Sequence, residues 1–303
     1  MALATESDHW SALERRRLWE PVPLRDLEGT VIYKMTGSGN DFVMVDGRVD
    51  PVDSWTPDVI RAVCSRGTGV GADGFVVLEP GSGPGAVKFH FFNADGGRSE
   101  MCGNAALCSV RLSAWLEFAP PERMILETDV GSQEGRCIEG QPERAEVELP
   151  SSTALSSPDI PLEPGEHTMG YTRVGVPHLV VLVDDVGEVS VGERGRVLRH
   201  HPSVGSDGAN VNFVSNGGAA WAMRTYERGV EAETLACGTG AVASAATLAA
   251  ESGVGFPIDL RSSSGAILTV SATPAADGSL PRPRLAGQAR LVCRAVLGGV
   301  SPR

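Results

Sequence analysis

Lysine is nearly missing from this chain. Of the 26 basic residues in 303, only Lys34 and Lys88 are lysines, and the rest are arginines. That bias reads as base composition, and neither lysine sits in the context of a Schiff-base site for pyridoxal phosphate. Net positive charge is also absent: the formal charge is −12, which argues against nucleic acid or an anionic membrane surface as partner. No apolar run reaches the ~18 residues of a membrane span. Met1 to Glu20 carries charges throughout and lacks the apolar core of a signal peptide, so a cytoplasmic location is expected. The six cysteines include no Cys-x-x-Cys pair and no His/Cys cluster with zinc spacing. A reduced protein without a metal site is expected.

What is present is a recurrence. Ser99-Glu100-Met101-Cys102-Gly103-Asn104-Ala105-Ala106 and Glu233-Thr234-Leu235-Ala236-Cys237-Gly238-Thr239-Gly240-Ala241 follow one pattern. An acidic residue precedes each Cys, a Gly and a small polar residue follow it, and an Ala-rich run continues. Such runs favour helix, so each Cys is expected at a helix N-terminus. Free amides there bind anions, and the dipole favours thiolate over thiol. Cys64, Cys108, Cys137 and Cys293 lie in apolar or strand-like contexts and read as packing residues.

The two cysteines stand 135 residues apart, about half the chain. Strand-like runs at 31–35, 42–46, 75–78 and 87–92 precede a helix over about 102–116. Runs at 179–183, 209–214 and 222–226 precede the second helix, and 258–261, 266–270 and 290–296 follow it. Residues 1–28, with Pro21 and Pro23, read as an extension, and the Pro/Ser-rich stretch Pro150 to Pro164 as a linker. The expected organisation is α/β: a lobe over 29–148, a second over 149–283, and a C-terminal strand within 284–298 returning to the first. Two related halves facing each other place both helix starts on one cleft.

Two thiols flanking one carbon can invert it. One, as thiolate, removes a proton from one face while the other, as thiol, delivers one to the opposite face. A carbon acid is far weaker than a thiol of pKa ~8.5, so the developing carbanion needs electrostatic support. Helix-terminal amides gripping an adjacent carboxylate supply it. No cofactor is expected.

Seven ordered motifs then carry a resemblance. Met35-Thr36-Gly37-Ser38-Gly39-Asn40-Asp41-Phe42, Gly69-Val70-Gly71-Ala72-Asp73-Gly74, and Phe92-Asn93-Ala94-Asp95-Gly96 through Asn104 resemble diaminopimelate epimerases. So do Gly175-Val176-Pro177-His178, Asn210-Val211-Asn212-Phe213, Glu227-Arg228-Gly229 and Ala236-Cys237-Gly238-Thr239-Gly240, over about residues 30–297. The resemblance implies two similar lobes, each a mixed sheet curled around a central helix, with the active site in the cleft between them, in a homodimer. It implies an isomerase converting LL- to meso-diaminopimelate, for lysine and peptidoglycan precursors, with Cys102 and Cys237 as the two bases. Asn40, Asn93, Asn210 and Arg228 hold the substrate in this reading, and Gly103-Asn104 and Gly238-Thr239 hold the reacting α-carboxylate. His178 and Glu227 lie beside the thiols and set their protonation.

Two departures stand out. Val176 occupies a position where the family often has a distal-contact Asn, and the segment from Glu227 to Thr234 is one residue longer than the commoner form. They keep open a cofactor-independent racemase of another amino acid on the same fold. Readings of other classes are a thiol–disulfide redox protein and a non-catalytic amino-acid binding protein. The first lacks a Cys-x-x-Cys pair, and the second needs neither thiol.

Overall fold

The computed structural model describes residues 27–298, so the extension expected over 1–28 lies, up to residue 26, outside the described residues. The chain order is β1 (Val31–Gly37), β2 (Asn40–Asp46), α1 (Pro57–Cys64), β3 (Gly74–Pro80), β4 (Ala86–Asn93), β5 (Arg98–Ser99) and α2 (Gly103–Trp115). Then come β6 (Met124–Thr128), β7 (Gly131–Cys137) and β8 (Arg144–Glu148). The second half runs β9 (Glu166–Val174), β10 (Val176–Val183), α3 (Val191–Arg199), β11 (Asn210–Asn216), β12 (Trp221–Glu227), β13 (Ala232–Thr234) and α4 (Gly238–Ser252). It closes with β14 (Ile258–Arg261), β15 (Ile267–Ser271), β16 (Arg284–Gln288) and β17 (Arg290–Val296).

The halves repeat strand for strand. In the first, β2 runs parallel to β3, β3 antiparallel to β4, and β4 parallel to β6. In the second, β10 runs parallel to β11, β11 antiparallel to β12, and β12 parallel to β14. β1 and β9 add antiparallel to β2 and β10. The halves are not separate bodies: β8 pairs antiparallel with β16, fusing them into one 17-stranded mixed sheet. β17 then crosses back to pair with β1.

This sheet wraps two central helices. α2 is apolar nearly all round, and Ala105, Ala106, Leu107, Cys108, Val110 and Leu112 are all buried. α4 is richer still in alanine and is buried at Gly238 and from Gly240 through Leu248. Helices apolar on every side belong inside a fold, and small side chains let a sheet close tightly around them. The central core takes side chains from both halves, including Leu107, Val147, Leu149, Val180, Val242, Leu268 and Leu285. The outer face of each half is covered separately. α1, capped by the Thr56 hydroxyl and opened by Pro57, packs Val59, Ile60 and Val63 with Trp55 and Phe75. α3 packs Val191 and Leu198 with Phe213 and Tyr226. The Pro150 to Pro164 stretch joins the halves but is not a loose tether. It lies along β9, with bridges Ser152–Val174 and Ser156–Tyr171, and buries Ile160.

Candidate active site

Cys102 and Cys237 cap α2 and α4 in one conformation: φ −137°, ψ 119° and φ −134°, ψ 111°. Both are extended N-cap geometries, and each leaves first-turn amides aimed away from its helix. The next residues, Gly103 and Gly238, meet across the pseudo-symmetry axis. A Cβ built on Gly238 falls 3.4 Å from the Gly103 Cα, and one built on Gly103 falls 3.5 Å from the Gly238 Cα. Leu285 of β16 packs behind both. The sheet thus brings two helix N-termini, two thiols and two glycines to one point.

Around Cys237, the sulfur accepts from the Gly240 amide at 3.3 Å and lies 3.6 Å from Thr239 Oγ1. Thr239 Oγ1 lies 3.0 Å from His178 Nε2. His178, wholly buried on β10, has Nδ1 3.2 Å from Asn212 Nδ2, which also donates to the Leu179 carbonyl at 3.3 Å. Around Cys102, the buried Asn104 donates to Asn40 Oδ1 at 2.7 Å and to the Ala236 carbonyl at 3.5 Å. Its own Oδ1 is buried without a partner among the described residues. Asn40 emerges from the Ser38-Gly39 turn and donates to Asp73 Oδ2 at 3.1 Å. Ser38 takes φ 54° and Gly39 φ 110°, the left-handed pair that a two-residue hairpin needs. At the end of β12 the Arg228 amide donates to Asn210 Oδ1 at 2.7 Å, and among the described residues no carboxylate pairs with the Arg228 guanidinium.

Burial dominates the electrostatics. It pushes the Cys102 thiol up to about 11, with the Ala105 and Asn104 amides opposing it and the Glu227 charge adding to it. It pushes Cys237 up to about 12, again with Glu227 adding and Thr239 and Gly240 opposing. The expectation that the helix termini hold thiolates is therefore corrected, because desolvation outweighs the amides and the dipole. Burial also raises Glu227, partly offset by the Thr234 hydroxyl, and it drives His178 down to about 3 with help from Arg228. His178 is thus neutral at physiological pH.

The structure gathers Cys102, Cys237, Gly103, Asn104, Gly238, Thr239, Asn40 and His178 into one connected group, and the charges of Glu227 and Arg228 act on it. Asn93 stands apart: it ends β4 at an exposed turn and accepts from the Gly96 amide through its main chain. The packing expected for Cys64 and Cys108 matches their burial, whereas Cys137 is half-buried and Cys293 is exposed on the outer strand β17. Cys293 faces out because β17 covers β1 at the sheet's edge rather than the core. Asn212 and Thr225 were not singled out as site residues. Their signal was weak, since β11 also carries Asn210 and Ser215 and β12 Arg224 and Glu227; the 2.9 Å bond from Thr225 Oγ1 to Asn212 Oδ1 is what joins them.

The family described as diaminopimelate epimerase matches residues 32–144 and 170–273. A diaminopimelate epimerase of Gemmatimonas aurantiaca is 44% identical over 278 residues, spanning 88% of this chain and 99% of that protein. One from Aquifex aeolicus is 38% identical, spanning 78% of this chain and 88% of that protein. The chain belongs to the diaminopimelate epimerase family. Solved structures more distant than these epimerases share the fold. A phenazine biosynthesis protein of the PhzF family from Bacillus anthracis has a TM-score of 0.69 at 14% identity, over 88% of this chain and 98% of that one. A hydroxyproline epimerase from Agrobacterium vitis has a TM-score of 0.64 at 19% identity, over 88% and 91%. The α/β fold of two similar halves and an isomerase activity therefore stand for this member of the diaminopimelate epimerase family.

Proposed function

We propose that the protein epimerises LL-diaminopimelate to the meso form at one α-carbon, for lysine and cell-wall precursors, using Cys102 and Cys237 as paired acid and base. The observation that carries this reading is the abutment of the two cysteine-capped helix starts at Gly103 and Gly238. A carboxylate seated over both N-termini meets amides from each side, and the carbon attached to it lies between the sulfurs. As the α-proton leaves for one sulfur, negative charge spreads into that carboxylate, where the amides and both dipoles stabilise it. The other thiol then protonates the opposite face. The buried thiols are poor acids until positive charge arrives, and the substrate's ammonium group brings it. The Glu227 charge works with burial to keep both thiols protonated until then.

The distal end fits Arg228, whose free planar fork suits a second carboxylate, with Asn210 fixed against its main chain. The resemblance adds Asn93, on the exposed turn that ends β4, to the substrate contacts. Val176 is half-buried at the start of β10 and presents apolar surface where the resemblance leads one to expect a distal-contact Asn. It leaves a racemase of a less polar amino acid as a second and less favoured reading.

Cofactor-free chemistry is consistent with the lysines. Lys34 is held by Asp41 at 2.7 Å and by the Gly71 carbonyl, and Lys88 is exposed on β4. A homodimer fits β17, which pairs only with β1 among the described residues and turns Leu291, Val292 and Val296 outward. A cytoplasmic location accords with an amino-acid substrate made inside the cell. Incubating the protein in deuterium oxide with LL-diaminopimelate and a panel of single-enantiomer amino acids tests the reading. Deuterium entering the α-position of diaminopimelate together with the meso isomer supports it. Exchange confined to a monocarboxylate amino acid transfers the case to the second reading.

A further inference from the structure

The four residues behind Cys237 form a hydrogen-bond chain whose direction can be read atom by atom. The Leu179 carbonyl can only accept, so the Asn212 atom facing it at 3.3 Å is the amide nitrogen. Thr225 Oγ1, donating to Asn212 Oδ1 at 2.9 Å, fixes the other side of the same amide. His178 Nδ1, 3.2 Å from that nitrogen, therefore accepts and carries no proton. A neutral imidazole with a bare Nδ1 carries its proton on Nε2, which donates to Thr239 Oγ1 at 3.0 Å. The Thr239 hydroxyl, with its acceptor side engaged, has its own proton free for the Cys237 sulfur 3.6 Å away.

The first half has no counterpart. In β10 and β11, His178 pairs with Asn210, and the corresponding pair in β2 and β3 is Phe42 with Gly74. Two residues on, Asn212 corresponds to Val76. At the equivalent of Thr239 stands Asn104, whose amide is turned to Asn40 and the Ala236 carbonyl. The chain serves one thiol only.

We infer that Asn212 is a positioning residue that sets the His178 tautomer and thereby turns the Thr239 hydroxyl onto Cys237 as a donor, making that thiol the more easily ionised than it is without the chain. The inference rests on reading Cys237 as an acid/base group. A donor to sulfur stabilises thiolate over thiol, so losing it raises the pH at which Cys237 ionises and leaves Cys102 where it was. The position is also tightly packed: a Cβ on Gly240 would fall 2.3 Å from Asn212 Oδ1, so the amide is pressed against the first turn of α4.

The test compares the full-length enzyme with Asn212→Leu, which removes the donor to Nδ1, and Thr225→Val, which frees the amide to turn. Nitrogen-15 spectra of histidine-labelled protein report the His178 tautomer. Iodoacetamide labelling across pH, read by peptide mass spectrometry, reports each thiol separately and needs no turnover. The wild type should show the proton on Nε2. In Asn212→Leu the labelling profile of Cys237 should move up by about one pH unit, a tenfold loss of thiolate at fixed pH, with that of Cys102 unmoved. kcat should fall about tenfold with KM nearly constant, as expected when only ionisation of the base is affected. If Asn212→Leu does not fold, Thr225→Val should give the same selective shift in smaller measure. A proton on Nδ1 in the wild type, or the two thiol profiles moving together or not at all, overturns the assignment. Epimerisation surviving in Cys237→Ala would instead sink the catalytic reading of Cys237 while leaving the tautomer result standing.

Discussion

Gly103 and Gly238 touch across the interface between the halves, and no side chain larger than hydrogen fits at either without displacement. A Cβ on Gly238 meets Leu285 Cδ2 at 2.8 Å and the Gly103 Cα at 3.4 Å, whereas one on Gly103 meets the same Leu285 carbon at 3.3 Å. Gly238→Ala should therefore be the worse of the two substitutions. Overpacking of a buried site costs about 1–3 kcal/mol, and here it also separates two helix starts that must act on one carbon. Expected outcomes are a lower denaturation midpoint and at least a tenfold loss of kcat/KM for Gly238→Ala, with a milder loss for Gly103→Ala. Leu285→Ala introduced with Gly238→Ala should recover part of the activity, since it removes the closest clash. No recovery in the double variant would show that the backbone contact, not Leu285, sets the spacing.

Each of Cys102→Ala and Cys237→Ala should lose epimerisation by roughly 10²–10⁴-fold, the usual worth of a general acid or base. Neither remaining thiol can reach the opposite face. Elimination from a substrate with a β leaving group needs proton removal from one face only, so one single variant should retain it for each stereoisomer. Because burial raises both thiols, to about 11 for Cys102 and about 12 for Cys237, the reactive thiolate appears as pH rises. The elimination rate should climb through pH 8 and above without a falling limb, since no second thiol must stay protonated. An alkaline decline in that rate would argue for a protonated partner still at work.

The parts of this site that were legible in the sequence are those where local chemistry and position coincide. A Cys followed by Gly and an alanine run announces a capped, buried helix wherever it occurs. The strands flanking the site are continuous apolar runs such as Phe75-Val76-Val77-Leu78 and Leu179-Val180-Val181-Leu182, which only the centre of a sheet accommodates. β7, Gly131-Ser132-Gln133-Glu134-Gly135-Arg136-Cys137, has no such signal, because its polar residues are satisfied by cross-strand arginines such as Arg284 to Glu134 at 2.9 Å. α3 was hidden by Gly192 and Gly195. A Cβ on Gly195 would fall 2.5 Å from that of Tyr226, so packing, not helix propensity, chose that glycine. Asn212 escaped because its meaning lies in its cross-strand neighbours, Thr225 opposite it on β12 and His178 two residues out of register on β10, which pairing alone reveals. The sign of the thiol shift escaped for a related reason. A helix terminus is local and readable, but the depth of burial around it is not.

Arg228→Met tests the distal site. A charge-assisted hydrogen bond lost to a carboxylate costs roughly 1.5–3 kcal/mol, one to two decades in kcat/KM. The loss should fall on diaminopimelate, while labelling of the two cysteines keeps its rate, since Arg228 touches neither sulfur. The main-chain bond from Arg228 to Asn210 does not depend on the side chain, so the turn should survive and the denaturation midpoint should stay within error. Val176→Asn should be neutral or mildly favourable for diaminopimelate. Equal loss on diaminopimelate and on a monocarboxylate amino acid would move Arg228 from the distal site to the reacting centre.

The last prediction concerns stability and pH. His178 is buried and neutral, with its pKa lowered from 6.5 to about 3 by burial and by Arg228. Between those values the unfolded chain binds a proton at this residue and the folded chain does not, so folding stability rises with pH across that window. The contribution is fully present above about 6.5 and is lost as pH falls toward 3, at a slope approaching 1.4 kcal/mol per pH unit in mid-window. Other groups titrate there too: Asp41, whose burial is outweighed by Arg66 and Lys34 so that its pKa is lowered, contributes a slope of the same sign, and Glu227, raised by burial, one of the opposite sign. The measurement must therefore be a difference. Urea unfolding of the wild type and of His178→Gln at pH 4, 5 and 7 isolates it. The wild type should lose more stability than the variant on going from pH 7 to pH 4, even if His178→Gln is the less stable protein at pH 7. Parallel pH dependences for the two proteins would mean that His178 takes up its proton in the folded state, and the neutral Nε2–H tautomer on which the Cys237 chain depends would fall with it.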